Sequence, residues 1–76
     1  MFDTVKQMLV DELSVNPDEV TESAELINDL GINSLELADL ILLCEEKFDL
    51  EISEDDVRGF VTVSDVVAYL TEKTDK

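Results

Sequence analysis

The segment GINSLELADLILLCEEKF, residues 31–48, decides the fold of this chain. Its core-forming side chains recur at spacings of three and four residues: Leu37, Leu40, Ile41, Cys44 and Phe48. Because an α-helix turns once in about 3.6 residues, this spacing places all of them on one face. The segment therefore predicts a helix that packs one face into a core.

Three polar residues stand at the start of this helix; two of them can cap it, and the third is not needed for capping. Asn33 is a good N-cap, and Glu36, three residues later, completes a capping box. Ser34 is then free to point outward at the helix tip, where unpaired backbone N–H groups favour an anion such as a phosphodiester. The alternative is a serine that only starts the helix.

A second apolar stripe of the same helix lies on another face and comprises Leu35, Ala38 and Leu42. Four acids flank it, namely Glu36, Asp39, Glu45 and Glu46. An exposed apolar face with an acidic rim predicts a surface on which a partner protein docks. The alternative is that Leu35 and Leu42 lie under the loop that precedes the helix.

The flanking segments predict further helices. An apolar stripe of Phe2, Val5, Leu9 and Leu13, with Met8 beside it, indicates a first helix that Asn16-Pro17 ends. The connection that follows, up to Asn33, is long for a small domain and contains four apolar residues that we expect to lie over the core: Val20, Leu26, Ile27 and Leu30.

Two caps follow the central segment. Ser53 precedes three acids and opens a short helix that ends near Gly59. Thr62 caps the last helix, which buries Val63, Val66, Val67 and Leu70. The predicted fold is all-α: one domain over residues 1–76, with three main helices, one short helix and a long ordered loop between the first two main helices.

Charge restricts the partners. The chain has 20 Asp and Glu against five Lys and Arg, a net charge of −15. This sign opposes binding to nucleic acid and to anionic membranes, and favours basic protein surfaces; the alternative is an acidic domain that is merely soluble. The N-terminus lacks the pattern of a signal peptide, no apolar run is long enough to span a membrane, and a single cysteine forms no internal disulfide, so we expect a cytoplasmic monomer.

Several chemistries are excluded by residue type. The chain has no histidine, which rules out Ser–His–Asp and Cys–His catalysis, and one cysteine cannot build a thiolate zinc site. The two glycines form no phosphate-binding loop. Cys44 lies on the core stripe and is expected to be an inert thiol. We therefore expect no catalytic residues and no metal ligands, and a protein that is not an enzyme.

The motifs GINSLEL, EEKFDLEISEDDV and TVSDVVAYL, at residues 31–37, 45–57 and 62–70, resemble the acyl carrier proteins of bacterial type II fatty acid synthesis. The resemblance covers nearly the whole chain. It implies a carrier with 4′-phosphopantetheine on Ser34, acyl groups held as thioesters on that arm, and as partners a phosphopantetheinyl transferase and synthase enzymes with basic docking patches.

The resemblance also assigns roles to the central helix. Residues matching the family's partner contacts are Leu35, Glu36, Asp39, Leu42, Glu45 and Glu46. Those matching its core and acyl-pocket wall are Leu40, Ile41, Cys44 and Phe48. The family usually has aspartate before the serine, where this chain has Asn33. The alternatives left open are a specialised polyketide, peptidyl or D-alanyl carrier, and an acidic regulatory module without the arm.

Overall fold

The computed structural model describes residues 1–74. The helices are α1 (Phe2–Leu13), α2 (Ser34–Phe48), α3 (Glu54–Arg58) and α4 (Val63–Thr74), with a 3₁₀ turn at Pro17–Glu19 between α1 and α2. Residues 1–74 contain one isolated antiparallel bridge, between Glu25 and Thr62, and no extended strand. The predicted architecture of three main helices and one short helix is confirmed.

One apolar cluster holds the helices together. Leu9 of α1, Leu40 and Cys44 of α2 and Leu70 of α4 are completely buried, and α1 packs against both α2 and α4. Burying a side chain of leucine size stabilises a fold by about 1.5–3 kcal/mol relative to leaving it in water. None of the polar or charged residues among the described 74 is buried, so the core is built from apolar contacts.

Both long helices before α3 end in a left-handed residue. Ser14 has φ 56° at the end of α1, and the N–H of Val15 donates to the carbonyl of Leu9 at 3.2 Å. Asp49, with φ 52°, ends α2 in the same way. A left-handed residue turns the chain away from the helix axis and satisfies the last carbonyls. The first helix therefore stops at Leu13, just before the Asn16-Pro17 pair that was expected to end it.

The long loop is fastened to the connection between α3 and α4 through the backbone. The N–H of Leu26 donates to the carbonyl of Val61, and the N–H of Val63 donates to the carbonyl of Ala24, both at 2.9 Å. A third bond of 2.9 Å runs from the N–H of Ser64 to the carbonyl of Glu22. These bonds fix the loop against the α3–α4 connection and the first turn of α4, as expected of an ordered loop.

The apolar residues of the loop differ in how far they are buried. Val20 and Leu26 are buried and Leu30 is half-buried, which agrees with the expectation that they cover the core. The same expectation is wrong for Ile27, whose side chain is 54% exposed. Leu26 takes the inward position, and its neighbour Ile27 faces outward beside α2.

The caps of α3 and α4 form as predicted. The hydroxyl of Ser53 accepts from the N–H of Asp56 at 3.2 Å, and that of Thr62 accepts from the N–H of Asp65 at 3.3 Å. In return, Asp65 Oδ2 accepts from the N–H groups of Thr62 and Val61, both at 3.0 Å. These two bonds lower the pKa of Asp65, because they stabilise the charged form of its carboxyl.

Candidate functional site

Ser34 is the first residue of α2, and its side chain is exposed. The cap of this helix is made by its neighbours: Asn33 Oδ1 accepts from the N–H of Glu36 at 2.8 Å, and Glu36 Oε1 accepts from the N–H of Asn33 at 3.1 Å. The capping box is complete without the serine hydroxyl. Ser34 is therefore accessible at the helix tip and has no structural task there.

The backbone around Ser34 is suited to a phosphate ester. The first N–H groups of a helix have no acceptor within the helix, and the capping box satisfies only that of Glu36. Among residues 1–74, no acceptor is found for the N–H groups of Ser34 and Leu35. Together with the positive end of the helix dipole, they favour an anion at this position.

A groove of about 590 Å³ opens directly beside Ser34. Its walls come from the loop, α2, α3 and the connection to α4, and they include Ile27, Leu37, Ala38, Val57, Phe60 and Val61. Two of these residues, Ile27 and Val61, are about half exposed. The groove therefore offers an apolar surface next to an accessible hydroxyl.

A second groove of about 510 Å³ lies farther along α2, toward α3. Ala38, Val57 and Arg58 line both grooves, so the two are neighbours on one side of the molecule. Ile41 and Ile52 add apolar surface to the second groove. Arg58 is the one basic residue among the side chains that line the two grooves.

The second apolar stripe of α2 is exposed, as predicted. Leu35 is 78% and Leu42 56% exposed, and Ala38 also lies on the surface. The alternative, that the loop covers Leu35 and Leu42, is wrong. The loop instead packs against the connection between α3 and α4. The stripe is available to another molecule.

The four acids beside this stripe differ in their surroundings. Glu36 belongs to the capping box, and Glu45 Oε2 accepts from the N–H of Ile52 at 2.9 Å, which ties the α2–α3 loop to α2. Asp39 and Glu46 are exposed, and their side chains make no hydrogen bond within residues 1–74. Only these two acids can meet a basic surface without releasing a contact of the fold.

The residues predicted to form the core and acyl-pocket wall lie on the opposite face of α2. Leu40, Ile41 and Cys44 are buried and Phe48 is half-buried, and of these four Ile41 lines the second groove. Burial raises the pKa of the Cys44 thiol to about 11, with a smaller contribution from the charge of Glu45. At neutral pH the thiol is protonated and unreactive.

Two further properties can be read from the described residues. Residues 1–74 contain no cluster of three or more carboxylate, thiol or imidazole groups that could hold a metal ion. No helix in this part of the chain has both the length and the apolar character needed to cross a membrane.

Comparison with known proteins identifies the family. The phosphopantetheine attachment site family matches residues 3–70. An acyl carrier protein of Clostridium perfringens is 49% identical over 76 residues, the full length of both chains. One of Chlamydia muridarum is 48% identical over 71 residues, 93% of this chain and 92% of its own, and one of Sulfurovum is 41% identical over 70 residues, 92% and 93% respectively.

The chain belongs to the acyl carrier protein family. The predicted resemblance and the predicted prosthetic group, phosphopantetheine, are thereby confirmed. The surroundings of Ser34 fit such a group, because an ester to an exposed, uncapped hydroxyl at a helix tip disturbs no contact of the fold. Family and relatives together support an acyl carrier role for this chain.

Sequence reasoning missed the groove residues of this carrier. Ile27 was assigned to the core, and Val61 and Arg58 were not assigned to any site, although all three line the groove beside Ser34. The available signal was an adjacent apolar pair in a loop, Leu26-Ile27, of which only one side chain can face inward. Nothing in the residue pattern indicates that residues more than 20 positions apart meet at this groove.

Proposed function

We propose that Ser34 Oγ is the attachment point of 4′-phosphopantetheine, and that the single domain of residues 1–76 carries acyl groups between enzymes. The observation that carries the proposal is the capping box of Asn33 and Glu36, which leaves an exposed hydroxyl at the first turn of α2. The terminal thiol of the bound arm would hold acyl groups as thioesters. The protein itself contributes position and shelter, and no catalytic group.

The groove beside Ser34 supports the shelter of an apolar cargo. Its walls contain Ile27, Val57 and Val61 as well as two side chains of α2. An acyl chain that leaves water for this surface gains about 25 cal/mol for each Å² of apolar area buried. We propose that cargo lies against this groove between visits to partner enzymes, and that Leu40 and Cys44 act as the core beneath α2.

The exposed face of α2 supports docking of basic partners. Leu35 and Leu42 offer apolar contact, and Asp39 and Glu46 offer negative charge beside them. We propose that a phosphopantetheinyl transferase and the enzymes of fatty acid or related synthesis bind here through basic patches. The net charge of −15 would steer such partners toward the carrier.

The experiment that tests the attachment site is intact-mass measurement after incubation with a phosphopantetheinyl transferase and coenzyme A. We expect one phosphopantetheinyl group on the parent and none on Ser34→Ala. The matched control is Ser23→Ala, since Ser23 is an exposed loop serine whose loss should leave modification unchanged. Because Ser34 lies in water, Ser34→Ala should change the free energy of unfolding by no more than about 0.5 kcal/mol.

Three results would contradict the proposal. If Ser34→Ala still gains the arm, another hydroxyl is the acceptor. If Ser34→Ala unfolds while Ser23→Ala does not, the serine has a structural task after all. If the parent itself gains no mass, the chain is an acidic interaction module in which Ser34 only starts a helix.

A further inference from the structure

Arg58 is one of five basic residues in the chain, and it is the base that lines both grooves beside α2. The other charged side chains along these grooves, Glu25 and Glu54, are acidic. In the first groove Arg58 lines the same walls as Ser34. An anion that enters this groove therefore meets repulsion from the acids and attraction from Arg58.

The guanidinium of Arg58 is available to such an anion. Its described ion pair is with Asp55, at 3.5 Å between Nη1 and Oδ1, and the two side chains are 78% and 92% exposed. Ion pairs this exposed are weak, because water solvates both charges well. A competing phosphate or carboxylate could replace Asp55, since the guanidinium fork matches the oxygens of either group.

We propose that Arg58 forms an anion subsite in the groove beside Ser34, where it holds a negative group carried on the arm. That group is either the phosphodiester of the arm or a carboxylate at the end of the cargo, as in an acyl group derived from a dicarboxylic acid. The inference rests on the proposed function, because such an anion enters the groove only when Ser34 is loaded. If the anion is the cargo carboxylate, Arg58 distinguishes acidic from neutral cargo; if it is the phosphodiester, Arg58 holds the arm whatever the cargo.

The test compares two cargoes of four carbons that differ in one carboxylate. A phosphopantetheinyl transferase loads the protein from succinyl-coenzyme A or from butyryl-coenzyme A, and intact mass confirms loading. ¹³C NMR follows the free carboxyl of labelled succinyl cargo through a pH titration. ³¹P NMR follows the phosphodiester in the butyryl form, in which the cargo has no charge.

The variants are Arg58→Gln, which removes the charge, and Arg58→Lys, which keeps it. Lys47→Gln is the matched control, because it removes one positive charge from the end of α2 and Lys47 lines neither groove. The thermal midpoint of each variant verifies that it is folded. Low ionic strength keeps the effect of a single charge measurable.

If the anion is the cargo carboxylate, its pKa rises by about 0.5 in Arg58→Gln, because an exposed ion pair that stabilised the charged form is lost. Arg58→Lys keeps most of the effect, and Lys47→Gln leaves the pKa within about 0.1 of the parent. If the anion is the phosphodiester, the ³¹P chemical shift of the butyryl form changes in Arg58→Gln. It stays at the value of the parent in Lys47→Gln.

The proposal is overturned if neither signal responds to Arg58→Gln, or if Lys47→Gln produces the same change, since the effect would then belong to net charge alone. Failure of the proposed function looks different. In that case the parent gains no mass from either coenzyme A ester. The proposed Arg58 subsite is then also wrong, because it requires a loaded Ser34.

Discussion

Leu40 and Leu42 are the same amino acid, two residues apart on one helix, and they lie in opposite environments. Leu40 is completely buried among α1, α2 and α4, whereas Leu42 is 56% exposed. The sequence assigned them to different stripes: Leu40 to the longer one, predicted to form the core, and Leu42 to the shorter one, which acids flank. The difference teaches that α2 has one face that builds the fold and another that is left for partners, and that packing neighbours decide which is which.

The largest expected effect separates the two faces directly. Leu40→Ala should lower the free energy of unfolding by about 2–5 kcal/mol, because it removes buried methyl groups and leaves a cavity. Leu42→Ala should change it by no more than about 0.5 kcal/mol, since water already reaches that side chain. Urea denaturation of both variants measures the two values, and equal losses would abolish the distinction between the faces.

A second prediction probes the buried face through pH. Burial raises the pKa of the Cys44 thiol from its ordinary value of 9.0 to about 11 in the folded protein. The folded pKa is the higher one, so the contribution of burial to stability is complete below pH 9.0 and disappears as the pH rises to about 11. Stability of the parent should therefore fall across this range by an amount on the order of 2 kcal/mol.

Cys44→Ala provides the control for this titration. The variant loses some stability at neutral pH through the missing sulfur atom, yet it lacks the group that ionises. Its free energy of unfolding, measured by urea denaturation, should decline less steeply between pH 9.0 and about 11 than that of the parent. Parallel curves would mean that the thiol is not held protonated by burial.

The third prediction concerns the exposed face of α2, where we expect a change in association rate and the smallest change in stability. The double substitution Asp39→Lys/Glu46→Lys should slow association with a basic partner about tenfold at low salt, because steering depends on charge. Stability should change little, since neither side chain makes a hydrogen bond within residues 1–74. Stopped-flow association rates with the transferase, at two salt concentrations, provide the measurement.

Glu45→Lys sharpens this comparison on the same helix. It reverses one charge but also removes the acceptor for the N–H of Ile52, so it should destabilise the fold by about 1 kcal/mol as well as slow association. An unchanged on-rate for Asp39→Lys/Glu46→Lys would count against the α2 face as the docking surface. An unchanged stability for Glu45→Lys would show that its bond to Ile52 contributes nothing.

The elements and their caps could be predicted because they depend on local chemistry. The box of Asn33 and Glu36 and the caps at Ser53 and Thr62 involve residues within three positions of one another. The exposure of Ser34 followed from the same argument, since a capped helix does not need a second capping hydroxyl. The end of α1 was misplaced because Pro17 is a strong sequence signal, whereas a left-handed serine at position 14 gives none.

The grooves could not be predicted, because they depend on contacts between distant segments. Backbone bonds between Leu26 and Val61, and between Ala24 and Val63, bring the loop to the α3–α4 connection. Ile27, Val57 and Arg58 thereby line one groove together with Ser34 at the start of α2. Side-chain pattern does not encode these backbone pairings, and for this reason Ile27 was assigned to the core.

The sequence by itself determined the helices, the cap that frees Ser34, the acidic charge and the family. These properties follow from residue type and spacing within one or two helical turns, or from similarity along the whole chain. The tertiary structure alone decided that Ile27 faces outward, which acids of α2 remain available, and that Arg58 shares a groove with Ser34. Burial is a property of neighbours, and the neighbours of α2 are fixed only when α1, α4 and the loop have packed around it.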